Sequence, residues 1–275
     1  MSRLPANVLT VDFEDWYQGL EIPMADWPKY EDRIEGVGHR LLDLLAETGA
    51  RATFFVLGYV AERHGDLIRK IVAAGHELGT HGFSHSFIYR QTPAQFRAEL
   101  GRSVEVLREL TSQEVLGHRA AYFSITRDSL WAFEILAELG LRYDSSIFPV
   151  VNYRYGIADA PRWPYEVKTG GGTILEFPIS TWRVWGRNVP VAGGAYFRIY
   201  PYRFTRAALR SINAEGRPAM FYLHPWELDP EHPRILLPRR VSLTHYFNLR
   251  RMEPRLRRLL ADFTFVPMKE ALGVR

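Results

Sequence analysis

The sequence contains no cysteine in its 275 residues. This absence excludes disulfide bridges, thiolate metal sites and a cysteine nucleophile. The sequence also lacks an apolar run near the roughly 20 residues that a membrane-spanning helix needs. The N-terminus reaches acidic residues before any apolar stretch of signal-peptide length. We therefore expect a cytoplasmic protein without a transmembrane segment.

Glycine-rich phosphate loops are missing as well, because no GxGxxG or Walker-type pattern follows the first predicted strand. The net charge is +4, and arginines cluster between residues 238 and 263. Apolar residues recur there at helical spacing, which predicts a basic amphipathic C-terminal helix. The stripe comprises Leu249, Met252, Leu256, Leu259 and Leu260. The arginines then form a solvated face or a peripheral membrane contact, and we expect no nucleic-acid partner.

Strand-like and helix-like segments alternate along the chain. The helix after Thr92 has the strongest start signal, because a threonine N-cap is followed by Pro93 at the first helical position. Alternation of this kind predicts an α/β protein with parallel strands. At this length we expect one domain over residues 1–275. The expected fold is a distorted or incomplete (β/α) barrel. The predicted strands cover residues 7–13, 52–58, 76–81, 114–119, 141–146, 173–180 and 218–224.

Polar residues follow several of these strands at the point where each strand ends. The carboxyl ends of parallel barrel strands open onto one face, where active sites are built, so we expect these side chains to converge. They are Asp12, Glu14, Asp15, His81, His85, Arg119, Asp144 and His224.

The stretch "HGFSH" at residues 81–85 places two histidines four residues apart. On a helical turn both imidazoles would face one side and reach one ion, although an isolated pair is also typical of a surface or capping position. The stretch "VDFED" at residues 11–15 adds three carboxylates. One of them can complete a three-ligand Zn²⁺ site, and another can act as a general base toward water. Arg119 can hold such a carboxylate ionised.

The stretch "YLHPW" at residues 222–226 follows an apolar strand. His224 precedes a proline, so its backbone is held extended. It can act as a general acid toward a leaving amine, with its pKa raised by a carboxylate such as Asp144. Leu223 can form the wall of a small apolar pocket, and Trp226 can stack on a sugar ring or belong to the core.

Five ordered motifs carry a resemblance to a known family: "LTVDFEDWY", "HGFSH", "HRAAYFSI", "YDSSIFP" and "FYLHPWE". The chain resembles the polysaccharide deacetylases of the NodB-homology type, carbohydrate esterase family four. It looks especially like the cytoplasmic subgroup found with bacterial exopolysaccharide gene clusters, because "GGAYFRIYP" and "LTHYFNLRR" are similar to the C-terminal portion of that subgroup. This resemblance implies a subgroup-specific C-terminal portion of about 165–275. The resemblance covers nearly the whole chain.

The resemblance implies a distorted barrel that holds a divalent metal, usually zinc, and removes acetyl groups from N-acetylated sugars. The implied substrate is an N-acetylated oligosaccharide or a lipid-linked glycan of an exopolysaccharide pathway. The resemblance implies a role for each motif residue. Asp12 would be the general base, Arg119 its orienting partner, His224 the general acid, Asp144 the residue that tunes His224, His81 and His85 metal ligands, Leu223 the contact to the acetyl methyl, and a backbone N–H near Tyr122 an oxyanion donor.

Two positions depart from the family pattern. Phe13 follows Asp12 where the family commonly has a second aspartate, so the metal carboxylate must be Asp15 or Glu14, and Asp15 is preferred. Ala121 stands where the third motif usually has proline. Two alternatives therefore stay open: a metal-independent relative that hydrolyses a cyclic imide or ureide C–N bond, and a catalytically silent carbohydrate-binding protein.

Overall fold

The computed structural model describes residues 6–274. The strands are β1 (Asn7–Phe13), β2 (Thr53–Val56), β3 (Glu77–Thr80), β4 (Gly117–His118), β5 (Tyr143–Asp144), β6 (Tyr165–Thr169), β7 (Gly172–Glu176), β8 (Thr181–Val184), β9 (Arg187–Pro190), β10 (Met220–Leu223) and β11 (Phe265–Val266). The α-helices are α1 (Ile34–Thr48), α2 (Gly58–Arg63), α3 (Gly65–Ala73), α4 (Pro93–Thr111), α5 (Ala132–Glu138), α6 (Gly194–Ile199), α7 (Tyr202–Ala214), α8 (Arg239–Tyr246), α9 (Met252–Asp262) and α10 (Met268–Leu272).

The main sheet is almost entirely parallel. Its strands are arranged in the order β10-β1-β2-β3-β4-β5-β7-β6, and only β6 runs antiparallel to its neighbour. The short β11 pairs with the beginning of β1, while β8 and β9 form a separate hairpin. Within residues 6–274 no pairing joins β10 to β6. The predicted α/β class with an incomplete barrel of parallel strands is therefore confirmed.

Side chains alternate between two faces along the central strand β1. Leu9, Val11 and Phe13 pack into the apolar cluster that contains the helices. Thr10 and Asp12 point the other way, because both accept a hydrogen bond from the same arginine inside the open barrel. This period of two is the ordinary geometry of a strand. A central strand can therefore supply polar groups to the barrel interior while its opposite face fills the core.

Most predicted elements are present, and the differences have local causes. Thr92 caps α4 through a capping box with Gln95, and Gly49 ends α1 in the left-handed conformation at φ 65°. The helical segment after β2 is divided into α2 and α3, because His64 has φ −121° and ψ 40°. The segment 191–201, which no predicted strand covers, contains α6.

The basic C-terminal segment forms two helices instead of the one predicted. Asn248, at φ 62°, interrupts the helical path between α8 and α9. The apolar stripe of α9 is buried against the rest of the protein. Arg255 donates to three backbone carbonyl oxygens, and Arg257 pairs with Glu47 and Glu253. The apolar face of α9 is therefore unavailable to a membrane.

Among the described residues, no helix combines the length and the apolar character that crossing a bilayer requires.

Gly193 makes the closest backbone approach near β10. It adopts φ 129°, and a Cβ atom built on it would lie 1.9 Å from the carbonyl oxygen of Tyr222. The neighbouring Ala192 accepts a hydrogen bond of 2.7 Å from the Tyr222 amide. Only glycine fits this conformation and this contact without strain. The residue therefore fixes the path of the chain beside the carboxyl end of β10.

We expect Gly193→Ala to lower the free energy of unfolding by about 2–4 kcal/mol, because the new methyl group must displace backbone atoms of β10. Urea unfolding followed by circular dichroism measures this change. Gly36→Ala in α1 is the matched control, because no atom beyond the adjacent residues and the backbone of its own helix lies within 4 Å of the added Cβ. The control should be neutral or stabilising by up to about 1 kcal/mol. Equal stability of Gly193→Ala and the wild type would contradict the packing described here.

Candidate active site

A cleft of about 480 Å³ opens where β1, β3 and β10 end. Polar side chains from distant parts of the chain line it, as expected for the carboxyl ends of parallel strands. Those lining residues include Asp12, Glu14, His81, His85 and His224. The structure thus brings together residues that are separated by up to 212 positions in the sequence.

A buried ion pair lies at the base of the cleft. Arg119 Nη1 donates to Asp12 Oδ1 at 2.7 Å and to Thr10 Oγ1 at 2.7 Å. Its Nε and Nη2 donate to the carbonyl and hydroxyl oxygens of Ser145. The ring of Phe55 lies 4.4 Å from the guanidinium carbon. Arg119 is therefore held on all sides, and it orients Asp12 so that the second oxygen, Oδ2, lies 4.0 Å from His224 Nε2.

Glu14, His81 and His85 form a group whose potential ligand atoms all lie within 4.8 Å of one another. The Nδ1 atom of His81 lies 2.8 Å from the carbonyl oxygen of Arg119. This contact places the ring proton on Nδ1 and leaves Nε2 with its lone pair, as metal-binding imidazoles require. Burial lowers the pKa of His81 to about 4, so the ring is neutral at physiological pH.

The other two members of the group have unsatisfied polar atoms. Glu14 Oε2 lies 2.7 Å from His85 Nε2. Neither Glu14 Oε2 nor His85 Nδ1 has a well-formed hydrogen bond among the described residues. Burial raises the pKa of Glu14, yet the nearby imidazoles, His85 foremost, lower it to about 2. A buried carboxylate without a donor is costly. One carboxylate and two imidazoles fit a divalent cation of the zinc type.

Asp15 is directed away from this group, which corrects the preference for Asp15 as the metal carboxylate. Its Oδ1 accepts from the Trp16 amide at 2.7 Å, and its Oδ2 accepts from the amides of Arg33 and Ile34 at 2.7 and 3.1 Å. The side chain therefore binds the beginning of α1, where backbone N–H groups are free. Glu14 takes the place beside the histidines.

The backbone around the site is also different from the expected helical turn. Residues 81–87 form an irregular loop, and His85 adopts φ 53°. Tyr122 and Phe123 are left-handed too, at φ 56° and 54°. Such conformations cost about 1 kcal/mol or more in non-glycine residues and concentrate at functional sites. They turn His85 toward Tyr122, with ring centroids 4.3 Å apart. The role of the Tyr122 backbone N–H stays a prediction.

His224 has a different carboxylate partner from the one expected. Its backbone N–H and Nδ1 lie 3.0 and 3.3 Å from Glu227 Oε2. Asp144 instead accepts from His118 Nδ1 at 2.6 Å inside the barrel, which corrects the expected pairing with His224. Burial lowers the pKa of His224, but the hydrogen bond and charge of Glu227 outweigh it and raise the pKa to about 9.

Glu227 is connected in turn to the C-terminal part of the chain. Arg198 Nε donates to Glu227 Oε1 at 2.7 Å, and the rest of its guanidinium donates to the carbonyl oxygens of Thr244, His245 and Phe247. The sequence reasoning missed both residues. Spacing offered one signal, because a carboxylate three residues after an N-cap is typical of a capping box, and Glu227 completes one with His224. No local signal identifies Arg198.

Leu223 does not reach the cleft. It is fully buried in the core cluster that contains the helices, while Tyr222 and His224 on the opposite face line the cleft. Successive side chains of a strand point to opposite faces, so Leu223 and Tyr222 cannot both face the cleft. The expectation that Leu223 forms a wall of the cleft is therefore corrected: Tyr222 lies there. Trp226 lines the cleft, and its ring stacks on those of His224 and His245. Contact of Trp226 with a substrate stays a prediction.

Comparison with known families assigns both halves of the chain. Residues 25–143 match the family described as polysaccharide deacetylase, and residues 145–273 match a domain of unknown function, DUF3473. Residues 25–143 therefore belong to the polysaccharide deacetylase family. His81, His85 and Arg119 come from the first matched region, whereas His224 and Glu227 come from the second. The site is therefore built from both.

Two curated relatives share part of the chain. A peptidoglycan deacetylase of Helicobacter pylori is 33% identical over 108 residues, which cover 39% of this chain and 36% of the relative. A chitooligosaccharide deacetylase of Bradyrhizobium sp. is 32% identical over 97 residues, which cover 35% of this chain and 42% of the relative. The chain thus matches about two fifths or less of the length of these proteins.

Solved structures share the fold over the whole chain. A Mycobacterium smegmatis protein assigned to the polysaccharide deacetylases has a TM-score of 0.67 at 22% identity, covering 100% of this chain and 93% of the other. The allantoinase named Puue has a TM-score of 0.61 at 18% identity, covering 99% and 93%. At such identities the likeness establishes the fold alone. It does not separate the chemistry of these enzymes.

We expect Glu227→Gln to lower the pKa of His224 by about one to two units, because a carboxylate within hydrogen-bond distance favours the imidazolium. NMR titration of the His224 ring in chelator-treated protein measures the value, which is about 9 in the wild type. The raised pKa stabilises the fold fully below the unfolded value near 6.5, and this stabilisation is lost as the pH rises through 9. Glu227→Gln should lose this stabilisation at a lower pH than the wild type does.

Asp144→Asn provides the comparison for this titration. Because Asp144 pairs with His118, the pKa of His224 should stay at its wild-type value in this variant. A large decrease in Asp144→Asn, together with none in Glu227→Gln, would restore the pairing expected from the sequence.

Proposed function

We propose that this protein is a divalent-metal-dependent hydrolase that removes the N-acetyl group from an N-acetylated amino sugar. The observation that carries the proposal is the buried donor group of Glu14, His81 and His85 beside the Asp12–Arg119 ion pair. The named deacetylases among the relatives support this choice of reaction. The proposed substrate class is an N-acetylated oligosaccharide or lipid-linked glycan.

The donor group suits the chemistry of amide hydrolysis. A divalent cation held by Glu14, His81 and His85, most simply Zn²⁺, would polarise the acetyl carbonyl and lower the pKa of water. The three donors leave room for further ligands, because the cleft is open to solvent on their other side. His81 is neutral and Glu14 ionised, which are the protonation states that metal binding needs.

The remaining residues divide the proton transfers between them. Asp12, held by Arg119, accepts a proton from the attacking water through its free oxygen Oδ2. The water oxygen bonds to the acetyl carbon, and the C–N bond breaks. His224 is protonated at neutral pH because its pKa is about 9, so it can donate a proton to the departing nitrogen. The products are acetate and the free amine.

The biological setting rests on the resemblance of the motifs. We propose that the substrate belongs to an exopolysaccharide pathway, in agreement with the subgroup motifs "GGAYFRIYP" and "LTHYFNLRR". A cytoplasmic location stays a prediction. The volume of the cleft, about 480 Å³, is within the range of small-molecule sites. Arg154 and Arg240 line the cleft. Arg154 pairs with Glu21, whereas Arg240 forms no salt bridge among the described residues and places positive charge there.

Two alternatives make different predictions. Metal-independent hydrolysis of a cyclic imide or ureide would leave the unsatisfied polar atoms of Glu14 and His85 without a chemical role. A catalytically silent carbohydrate-binding protein would have no use for the Asp12–Arg119 pair. Shared fold does not exclude either, because an allantoinase has the same architecture. Metal content and acetate release separate all three functions.

We expect Glu14→Gln to weaken Zn²⁺ binding by more than about a hundredfold, because a neutral amide replaces the only carboxylate of the donor group. Asp15→Asn is the matched control one position away, and it should keep wild-type affinity because Asp15 binds backbone amides of α1. Calorimetric titration with zinc and elemental analysis measure both. The reverse result would make Asp15 the ligand. A wild type that binds no added metal would favour the cyclic-amide alternative.

We expect Asp12→Asn to bind zinc normally but to release acetate from N-acetylated chitooligosaccharides about 10²–10⁴ times more slowly, because the proton acceptor is lost. A coupled acetate assay gives the rate, and elemental analysis gives the metal content of the same samples. The exposed Asp128→Asn serves as control and should behave as the wild type. Full activity of Asp12→Asn would remove Asp12 from the proposed role.

A further inference from the structure

Exposed apolar side chains are concentrated in three segments of the C-terminal half. The segments cover residues 145–158, 177–214 and 234–251, and none of them contains aspartate or glutamate. They hold seven of the nine large apolar side chains that are exposed among the described residues, and we call these seven the apolar rim. The apolar rim consists of Val151, Tyr153, Trp185, Ile199, Leu236, Leu243 and Phe247. Exposed apolar groups gathered in this way mark an interaction surface.

Two members of the apolar rim lie at the cleft, and the segments that carry the others are connected to it. Tyr153 and Leu243 line the cleft itself. The hairpin of β8 and β9 is joined to the first segment, because Asn188 Nδ2 donates to the carbonyl oxygen of Pro149 at 2.7 Å. The segment before α8 is joined to that helix by the Ile235 amide, which donates to the hydroxyl of Tyr246 at 3.0 Å. Trp185 and Leu236 are the most exposed members, at 98% and 102%.

Five arginines that flank Trp185 and Leu236 of the apolar rim have no partner of opposite charge among the described residues. Arg183 and Arg187 flank Trp185, and Arg234, Arg239 and Arg240 flank Leu236. Within residues 6–274 none of these five arginines forms a salt bridge, whereas many arginines elsewhere on the surface do. Unpaired cations beside exposed apolar and aromatic groups suit a partner that is both anionic and apolar.

We propose that the apolar rim rests on an anionic lipid bilayer and holds the mouth of the cleft at the membrane surface. Apolar side chains would enter the headgroup region, and the arginines would contact lipid phosphates. A second copy of the chain fits less well, because the three segments carry arginines and no carboxylate, and like-charged segments repel each other. If the proposed deacetylation is correct, this surface assigns the substrate to glycans carried on a lipid.

Vesicle co-sedimentation of the full chain tests the surface without any assay of activity. Vesicles of phosphatidylcholine with about one third phosphatidylglycerol should bind the protein, and pure phosphatidylcholine should bind it weakly. The double variant Arg234→Gln, Arg239→Gln should reduce the partition coefficient by about tenfold or more, because each arginine near an anionic surface contributes about fivefold. Trp185→Ser with Leu236→Ser should reduce it by a comparable factor.

Matched substitutions outside the rim control for charge and apolarity. Arg108→Gln with Arg142→Gln removes two exposed arginines, and Leu130→Ser removes an exposed leucine, all outside the three segments. These variants should bind vesicles as the wild type does. Absence of binding by the wild type, or equal loss in the rim and control variants, would overturn the proposal. A concentration-dependent dimer that the rim variants abolish would assign the surface to a second copy instead.

The two proposals fail separately. None of Trp185, Leu236, Arg234 and Arg239 lines the cleft, so the rim variants should release acetate from a soluble chitooligosaccharide at the wild-type rate. Vesicle binding without acetate release from any N-acetylated sugar would contradict the deacetylase and leave the membrane surface intact. Acetate release without vesicle binding would contradict the membrane surface and leave the proposed deacetylase activity intact.

Discussion

The buried guanidinium of Arg119 is the group on which the rest of the site depends. A buried charge is tolerated only when it is paired and its donors are used. Arg119 meets this condition by bonding to Asp12 and Thr10 of β1 and to Ser145 after β5. Its own carbonyl oxygen accepts from His81. One residue therefore fixes the proposed base, the tautomer of a proposed ligand and the relative positions of three strand ends.

The second half of the chain contributes chemistry to this site. His224 reaches the cleft from β10, which pairs directly with β1 and so lies next to Asp12. Glu227 and Arg198 then connect His224 to the carbonyl oxygens at the end of α8. The region matched by a domain of unknown function thus supplies the proposed acid, the carboxylate that charges it and one wall of the cleft. Neither region forms the site alone.

Residues with a strong local signal were predicted well. The alternation of strands and helices, the Thr92 cap and the placement of polar residues after strands all depend on neighbours within a few positions. The predictions that were wrong concern the direction in which a side chain points. Asp15 and Glu14 are adjacent, and only the bend of the chain after β1 decides which carboxylate enters the cleft. Asp144 likewise pairs with His118 and not with His224. Leu223 faces the core because side chains alternate between the two faces of β10.

The sequence by itself determined the α/β architecture and the residue types at the ends of the strands, because periodicity and capping are local properties of the chain. Its five ordered motifs also indicated the family. Only the tertiary structure decided that Glu14 stands beside the two histidines and that Glu227 charges His224. It also decided that Tyr153 and Leu243 of the apolar rim line the same cleft as these residues. These relations join residues whose distance in space depends on strand order and side-chain direction, which no single segment of the chain encodes.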